Sequence, residues 1–195
     1  DTRVLKVSYA GEKGFEIHVH NNSMKKIYDE LVEHGENFNL IHFGMLALDS
    51  MRLEKNYRSW KSDLTSDYTM LQSGLEKWIK FDKGNFIGKE ALKNEFVLGT
   101  SKKFVTLVVD DPEDNKPFGE PVYLSPVFAG DDYLGPIVSS GYGHRVKKSI
   151  SMAILDDRNL NGLNDQLYID VLGRKRKAYI VNEALYDPEN LKLRS

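Results

Sequence analysis

The sequence contains no cysteine, and only six of its 195 residues are proline. Without cysteine the chain has no disulfide, no thiolate metal ligand and no thiol nucleophile, which is typical of a protein in a reducing compartment. No run approaches the roughly 20 apolar residues of a membrane-spanning helix, and no stretch has the pattern of a signal peptide. The net charge is only −2. We therefore expect neither a nucleic acid nor a membrane as a partner.

The clearest pattern is a period-two alternation on both sides of the segment Gly11-Glu12-Lys13-Gly14. The alternating apolar residues are Leu5, Val7 and Tyr9 before it, and Phe15, Ile17 and Val19 after it. This pattern predicts two antiparallel strands within residues 4–19 that are joined by a short loop. The loop presents Glu12 between glycines that let another group approach the backbone closely. Its carboxylate could accept two parallel N–H donors, such as the amide edge of a pterin ring, or could simply be solvated.

Helical periodicity dominates the rest of the first half of the chain. It predicts helices over residues 24–32, 44–55 and 88–96, the first capped by residues 22–23 and ended by Gly35. A strand is predicted over 78–81, while residues 56–73 have no period, which is often a sign of a functional segment. We expect an α+β portion in which helices pack on a sheet. Residues 97–101 are the expected boundary between this portion and the second half of the chain.

Beyond that boundary the chain shows six short apolar segments separated by Gly, Pro, Asn and Asp. They are residues 103–109, 121–124, 135–139, 149–155, 167–171 and 177–181. This spacing favours a small antiparallel β-barrel or a sandwich in the second portion, and residues 186–195 are expected to form an exposed wrap. The predicted division of the chain is therefore residues 1–97 and residues 102–195.

Three further clusters have more than one interpretation. His18 and His20 share one face of a strand but have no third ligand at a suitable spacing, so we expect no metal site. The Gly-rich residues 139–145 are predicted to form a turn and not a phosphate-binding loop, because a strand and not a helix follows them. The charged and aromatic residues that end the second helix could be a solvated helix end or could line a ligand cleft, and their spacing leaves both open. They are Arg52, Glu54, Lys55, Tyr57, Arg58 and Trp60.

Three stretches taken together resemble the folate-dependent aminomethyltransferase superfamily. They are SYAGEKGFE (residues 8–16), ALDSMRLEKNYRSWKSDLT (residues 47–65) and FDKGNFIGKEAL (residues 81–92). The superfamily includes the glycine cleavage T-protein and the C-terminal halves of dimethylglycine and sarcosine dehydrogenases. SGYGHR (residues 140–145) and LYDP (residues 185–188) are similar to the dehydrogenase branch. The resemblance covers essentially the whole chain in order.

The resemblance implies a ligand and two residues that bind it. Glu12 matches the carboxylate that holds the pterin ring of tetrahydrofolate, and Tyr57 falls where the family places an aromatic near the folate. The resemblance also implies that residues 1–97 are the C-terminal part of the folate-binding domain and that 102–195 are its β-barrel. No residue here matches the catalytic Asp of the family, which is expected upstream. The upstream part of the same polypeptide is thus an expected partner, with FAD, if present, in a domain further upstream.

Leu48 is a departure from the glycine cleavage T-protein, which carries Arg at this position. The dehydrogenase branch resembles this chain there. We therefore expect transfer of a one-carbon unit from an N-methylated amino acid to tetrahydrofolate, giving methylenetetrahydrofolate. The alternatives are a glycine cleavage T-protein and a non-catalytic folate-binding domain. The expected location is the cytoplasm, or the mitochondrial matrix in a eukaryote.

Overall fold

The N-terminal part of the structure consists of a two-stranded sheet and three helices. A computed structural model describes residues 2–109, 121–157, 160 and 167–195. Strand β1 (Thr2–Leu5) pairs antiparallel with β2 (Glu16–Val19), so that Thr2 faces Val19 and Leu5 faces Glu16. The predicted strand pair is therefore confirmed. The predicted short loop is wrong, because the whole segment 6–15 connects the strands.

The three predicted helices are present with small changes at their ends. They are α1 (Asn21–Gly35), α2 (Met45–Glu54) and α3 (Lys89–Leu98). The predicted cap at 22–23 is wrong, because helix α1 begins at Asn21 and His20 accepts the backbone N–H of Asn22. Short 3-10 turns cover Glu36–Phe38 and Glu76–Trp78.

The strand predicted over residues 78–81 does not form. The N–H groups of Trp78 and Ile79 bond to the carbonyls of Leu75 and Glu76, which are local turn contacts. Trp78 is 66% exposed, whereas the Phe81 ring packs 5.8 Å from the ring of Phe96 on α3. These apolar residues instead serve a loop and a helix contact, and among the described residues no strand pairs with them.

The C-terminal part is a closed barrel of six antiparallel strands in the order β3-β6-β5-β4-β7-β8. The strands are β3 (Lys102–Val109), β4 (Pro126–Ala129), β5 (Asp132–Gly143), β6 (Lys148–Asp156), β7 (Leu167–Val171) and β8 (Arg174–Val181). The predicted fold class, α+β followed by a small antiparallel β-barrel, is confirmed. The strand predicted over residues 121–124 is wrong, since the N–H of Ser125 bonds to the Val122 carbonyl and Leu124 has φ +67°. The strand β4 that follows them was not predicted.

Helix α2 lies against the outside of the barrel. A buried cluster joins its Leu53 to barrel residues that include Ile150 and Met152. The predicted turn over residues 139–145 is also wrong at its start, because residues 139–143 are the end of β5 and the chain turns at 144–147. A Cβ on Gly141 would lie 2.8 Å from Leu53 Cδ1. The glycine therefore lets the helix approach the strand closely.

None of the helices among the described residues is both long enough and apolar enough to cross a membrane.

Candidate functional site

Glu12 lies in the segment 6–15 and contacts two residues from distant parts of the chain. Its Oε1 accepts a hydrogen bond of 2.6 Å from the Tyr186 hydroxyl and lies 3.6 Å from Nη1 of Arg145. The Arg145 guanidinium carbon is 4.3 Å from the centroid of the Tyr186 ring. The hydrogen bond to Glu12 raises the pKa of Tyr186, because ionisation would lose it and place two negative charges side by side. We call Glu12, Arg145 and Tyr186 the Glu12 cluster.

Glu54, the last residue of α2, is only 4% exposed and connects Arg145 and Tyr186, the two residues that contact Glu12. Its Oε1 accepts the backbone N–H groups of Arg145 at 2.7 Å and Val146 at 3.2 Å. Its carbonyl oxygen accepts the N–H of Tyr186 at 3.0 Å. The turn after β5 and the segment after β8 are therefore both fixed to the end of α2.

Lys55, the next residue, fixes two further segments. Its buried Nζ donates to the carbonyl oxygen of Asp187 at 2.7 Å and to its Oδ2 at 2.8 Å. The bond from Lys55 holds the pKa of the Asp187 carboxyl below its usual range. Gly11, at φ +78°, packs against the Lys55 side chain so closely that a Cβ would lie 2.3 Å from its Cγ. Residues 186 and 187 are thus packed against α2, which corrects the prediction that they belong to an exposed wrap.

A cavity of about 500 Å³ opens beside the Glu12 carboxylate. It is lined by Ala10, Glu12, Ser50, Met51, Glu54, His144, Arg145, Tyr186 and Lys192. Its volume is in the range of small-molecule sites. The Glu12 side chain is 44% exposed, and no described residue donates a hydrogen bond to its Oε2. Because each carboxylate oxygen carries two lone pairs, Glu12 can accept two parallel N–H donors and keep its bond from Tyr186.

Tyr57, the second folate residue expected from the resemblance, lines a different and larger cleft of about 1170 Å³. Its hydroxyl donates to Oδ1 of Asn190 at 2.8 Å, and its ring stacks on Tyr9 with 6.4 Å between centroids. Burial raises the pKa values of both tyrosines. The Lys55 ammonium lies 5.9 Å from the Tyr57 ring and 5.7 Å from the Tyr186 ring. The structure therefore places Glu12 and Tyr57 on neighbouring cavities rather than in one.

Arg52 belongs to a buried network and not to either cavity. It is 2% exposed, and its Nη1 lies 2.7 Å from Oδ2 of Asp63, which is 0% exposed. Its Nη2 donates to Ser139 Oγ at 2.9 Å, and that hydroxyl donates to Asp63 Oδ1 at 2.5 Å. The residues at the end of the second helix thus differ in their roles. Arg52, Glu54 and Lys55 make buried contacts that fix the structure. Lys55, Tyr57 and Arg58 line the larger cleft, and Trp60 is 76% exposed.

The sequence did not single out Arg145 or Tyr186 as site residues, although both lie in stretches that carry the family resemblance. Tyr186 is 174 residues from Glu12, so no local pattern could join them. Among the described residues, no three His, Cys, Asp or Glu side chains converge as metal ligands.

Comparison with known proteins gives matches over most of the chain. A family model of the GCVT N-terminal domain matches residues 1–83, and one of the glycine cleavage T-protein C-terminal barrel domain matches residues 102–187. An aminomethyltransferase of Thermoanaerobacter is 31% identical over 183 residues, which are 94% of this chain and 48% of that protein. The mitochondrial dimethylglycine dehydrogenase of Homo sapiens is 30% identical over 186 residues, 93% of this chain and 20% of that protein.

A solved structure shares the fold. The glycine cleavage system aminomethyltransferase T from Bartonella henselae superposes with a TM-score of 0.81 at 20% identity, covering 96% of this chain and 50% of that one. The chain therefore spans about half the length of the aminomethyltransferases it matches, and a fifth of the dimethylglycine dehydrogenase.

Proposed function

Because this chain belongs to the glycine cleavage T-protein family of aminomethyltransferases, we propose that it provides half of a tetrahydrofolate site. The protein that contains it would transfer a one-carbon unit from an N-methylated amino acid, of the dimethylglycine or sarcosine type, to tetrahydrofolate. The division into residues 1–97 and 102–195 is part of this proposal. The observation that carries it is the Glu12 carboxylate, partly exposed beside a cavity of suitable size.

Glu12 is the residue that orients the ligand. The pterin ring of tetrahydrofolate carries a ring N–H beside an exocyclic amine, and these two donors match the two oxygens of one carboxylate. Tetrahydrofolate would supply the amine that receives the one-carbon unit. The chain holds the carboxylate still, through Tyr186 and Arg145, so that less orientational freedom is lost on binding. Tyr57 would contribute from the neighbouring cleft, as the family resemblance implies.

The choice of an N-methylated amino acid as the donor of the one-carbon unit rests on Leu48. This residue lies in α2 and is half-buried, and its side chain cannot supply the positive charge that Arg provides in the glycine cleavage T-protein. The relatives do not separate the two activities, since an aminomethyltransferase and a dimethylglycine dehydrogenase are 31% and 30% identical to this chain. The rival donor is an aminomethyl group on a lipoyl carrier protein. Turnover with sarcosine or dimethylglycine, but not with the loaded carrier, would support our assignment.

The N-terminal part of the chain also has apolar surface that requires a partner. Val4 and Ile17 are direct neighbours on the β1–β2 sheet, and both are exposed. Met24, Tyr28 and Leu31 share one face of α1 and are exposed as well. A two-stranded sheet alone is at best marginally stable in water. We propose that another part of the same aminomethyltransferase polypeptide covers this surface and brings the catalytic Asp, with any FAD domain further upstream.

The test is a titration with folinic acid, a stable reduced folate, followed by tryptophan fluorescence. It is made on the longest natural polypeptide that contains this sequence. Glu12→Ala is expected to weaken binding by about 1.5–3 kcal/mol, the scale of a hydrogen bond to a charged group. Glu33→Ala is the matched control, because Glu33 is exposed on the polar side of α1. Unchanged affinity in Glu12→Ala would refute the assignment.

A further inference from the structure

We propose that Glu54 is a positioning residue for the Glu12 carboxylate, and that it acts through Arg145 and Tyr186. This inference rests on the proposed function of Glu12. Neither the family models nor the named relatives assign a role to Glu54. Its carboxylate is the acceptor for the turn that carries Arg145, and its carbonyl is the acceptor for the N–H of Tyr186.

A carboxylate at this depth requires strong hydrogen bonds, because burying a charge without partners is costly. Glu54 meets that requirement with two backbone donors, the N–H groups of Arg145 and Val146, which converge on one oxygen. Charge-assisted bonds of this kind are about twice as strong as neutral ones. The turn 144–147 is therefore held in one conformation, and the Arg145 side chain starts from a fixed backbone.

The neighbouring strand is shaped to admit this side chain. A Cβ on Gly143 would lie 3.0 Å from Glu54 Cγ and 2.8 Å from both Ile150 Cδ1 and Val146 Cγ2. Any larger residue at 143 would push against the stem of Glu54 and against the turn. The absence of a side chain at 143 thus leaves room for the carboxylate to reach the two amides.

Although Gly11 packs against Lys55, the side chain of Glu12 depends on these contacts. Residues 6–15 contain no strand or helix, and the side chain of Glu12 is bonded only by Tyr186 and Arg145 among the described residues. The Arg145 guanidinium also stacks on the Tyr186 ring, so the two partners hold each other. Releasing the turn or the Tyr186 backbone would leave the Glu12 carboxylate free to rotate. The ligand would then have to order it.

The experiment is a double-mutant cycle between Glu54→Gln and Glu12→Ala, with the dissociation constant of folinic acid as the readout. Gln keeps the size of Glu but loses the charge, so both amide bonds weaken. We expect Glu54→Gln to weaken binding about tenfold in the wild-type background, the scale of one charge-assisted hydrogen bond. In the Glu12→Ala background we expect less than about a twofold effect, because residues that act through one another are not additive. Glu33→Gln is the control for the loss of a negative charge.

A purely structural role would give a different result. It would weaken binding by the same factor in both backgrounds, and that outcome would overturn the proposal, as would an unchanged affinity in Glu54→Gln. Amide hydrogen exchange over residues 144–147 provides a second readout, and it should be faster in Glu54→Gln. If Glu54→Gln does not fold, Glu54→Asp enters the same cycle, because it keeps the charge but shortens the reach. An unchanged affinity in Glu12→Ala alone would instead refute the proposed function.

Discussion

Replacing Asp63 with alanine would leave the buried Arg52 guanidinium with only one counter-ion, the half-exposed Asp49, whose Oδ1 lies 2.6 Å from Nε. Asp63 is 0% exposed and accepts bonds from Arg52, Ser139 and the N–H of Ser59. At 2.7 Å and an effective dielectric constant of about 20, the Arg52–Asp63 attraction is roughly 6 kcal/mol. Much of it offsets the desolvation of the two ions. Removal of one partner of such a pair costs about 3–5 kcal/mol. Asp49 contacts only Nε of Arg52 and is 47% exposed, so it does not replace the buried Asp63 carboxylate at Nη1.

The expected change in melting temperature follows from the chain length. An unfolding entropy of about 2.1 cal/mol/K per residue gives about 0.4 kcal/mol/K for 195 residues. A loss of 3–5 kcal/mol then lowers Tm by about 7–12 °C. Thermal unfolding followed by circular dichroism measures this shift directly.

A surface ion pair of nearly equal length provides the control. Lys25 Nζ lies 2.5 Å from Asp29 Oδ2 on α1, but the Asp29 side chain is 53% exposed. Exposed pairs contribute at most about 1 kcal/mol, so Asp29→Ala should lower Tm by no more than about 2 °C. Equal shifts for Asp63→Ala and Asp29→Ala would refute the reasoning that burial, and not bond length, determines the contribution.

Two further predictions concern the site itself. Gly143→Ala is expected to destabilise the protein by about 1–3 kcal/mol, because its Cβ would meet Glu54, Ile150 and Val146; Gly84→Ala, with no atom within 4 Å of a new Cβ, should be nearly neutral. The folded state lowers the pKa of Asp187, so the ion pair with Lys55 contributes fully to stability above the pKa that this carboxyl has in the unfolded chain. That contribution is lost as the pH falls through the pKa in the folded state. Residues 186–194 should therefore keep their hydrogen-exchange protection at about pH 4 and lose it at lower pH. Asp187→Asn should abolish this step, and a midpoint at the ordinary carboxyl pKa would contradict the assignment.

Local periodicity was sufficient to predict most of the regular structure. The helices at 21–35, 45–54 and 89–98 follow apolar spacing that the chain carries within each segment. Strand β4 was missed because it has four residues, begins at Pro126 and is defined by pairing with β5 and β7 rather than by its own pattern. The false strand at 78–81 has the opposite cause, since its apolar residues suit a strand but no strand among the described residues lies beside it.

The site was less predictable, because its members are close only in the folded chain. Glu12 stood out through the glycines around it, and one of these, Gly11, does pack tightly against Lys55. Its partners Arg145 and Tyr186 belong to the barrel turn and to the segment after β8, which nothing in the sequence around Glu12 indicates. The charges of Arg52, Glu54 and Lys55 suggested a solvated helix end or a ligand cleft. Their burial excludes the solvated helix end, whereas Glu54 lines the smaller cavity and Lys55 the larger cleft, and only tertiary packing reveals both facts.

The separation of 174 residues between Glu12 and Tyr186 has a consequence for the order of events during synthesis. Ribosomes add about 5–20 residues per second, so Glu12 is made roughly 9–35 s before Tyr186. Throughout that interval the Glu12 carboxylate has no partner from the C-terminal segment, and the barrel turn that carries Arg145 arrives late as well. The Glu12 cluster can therefore assemble only after Tyr186, and with it the barrel, has been synthesised. A nascent chain that stalls before residue 186 would display the Glu12 loop without the contact that orders it.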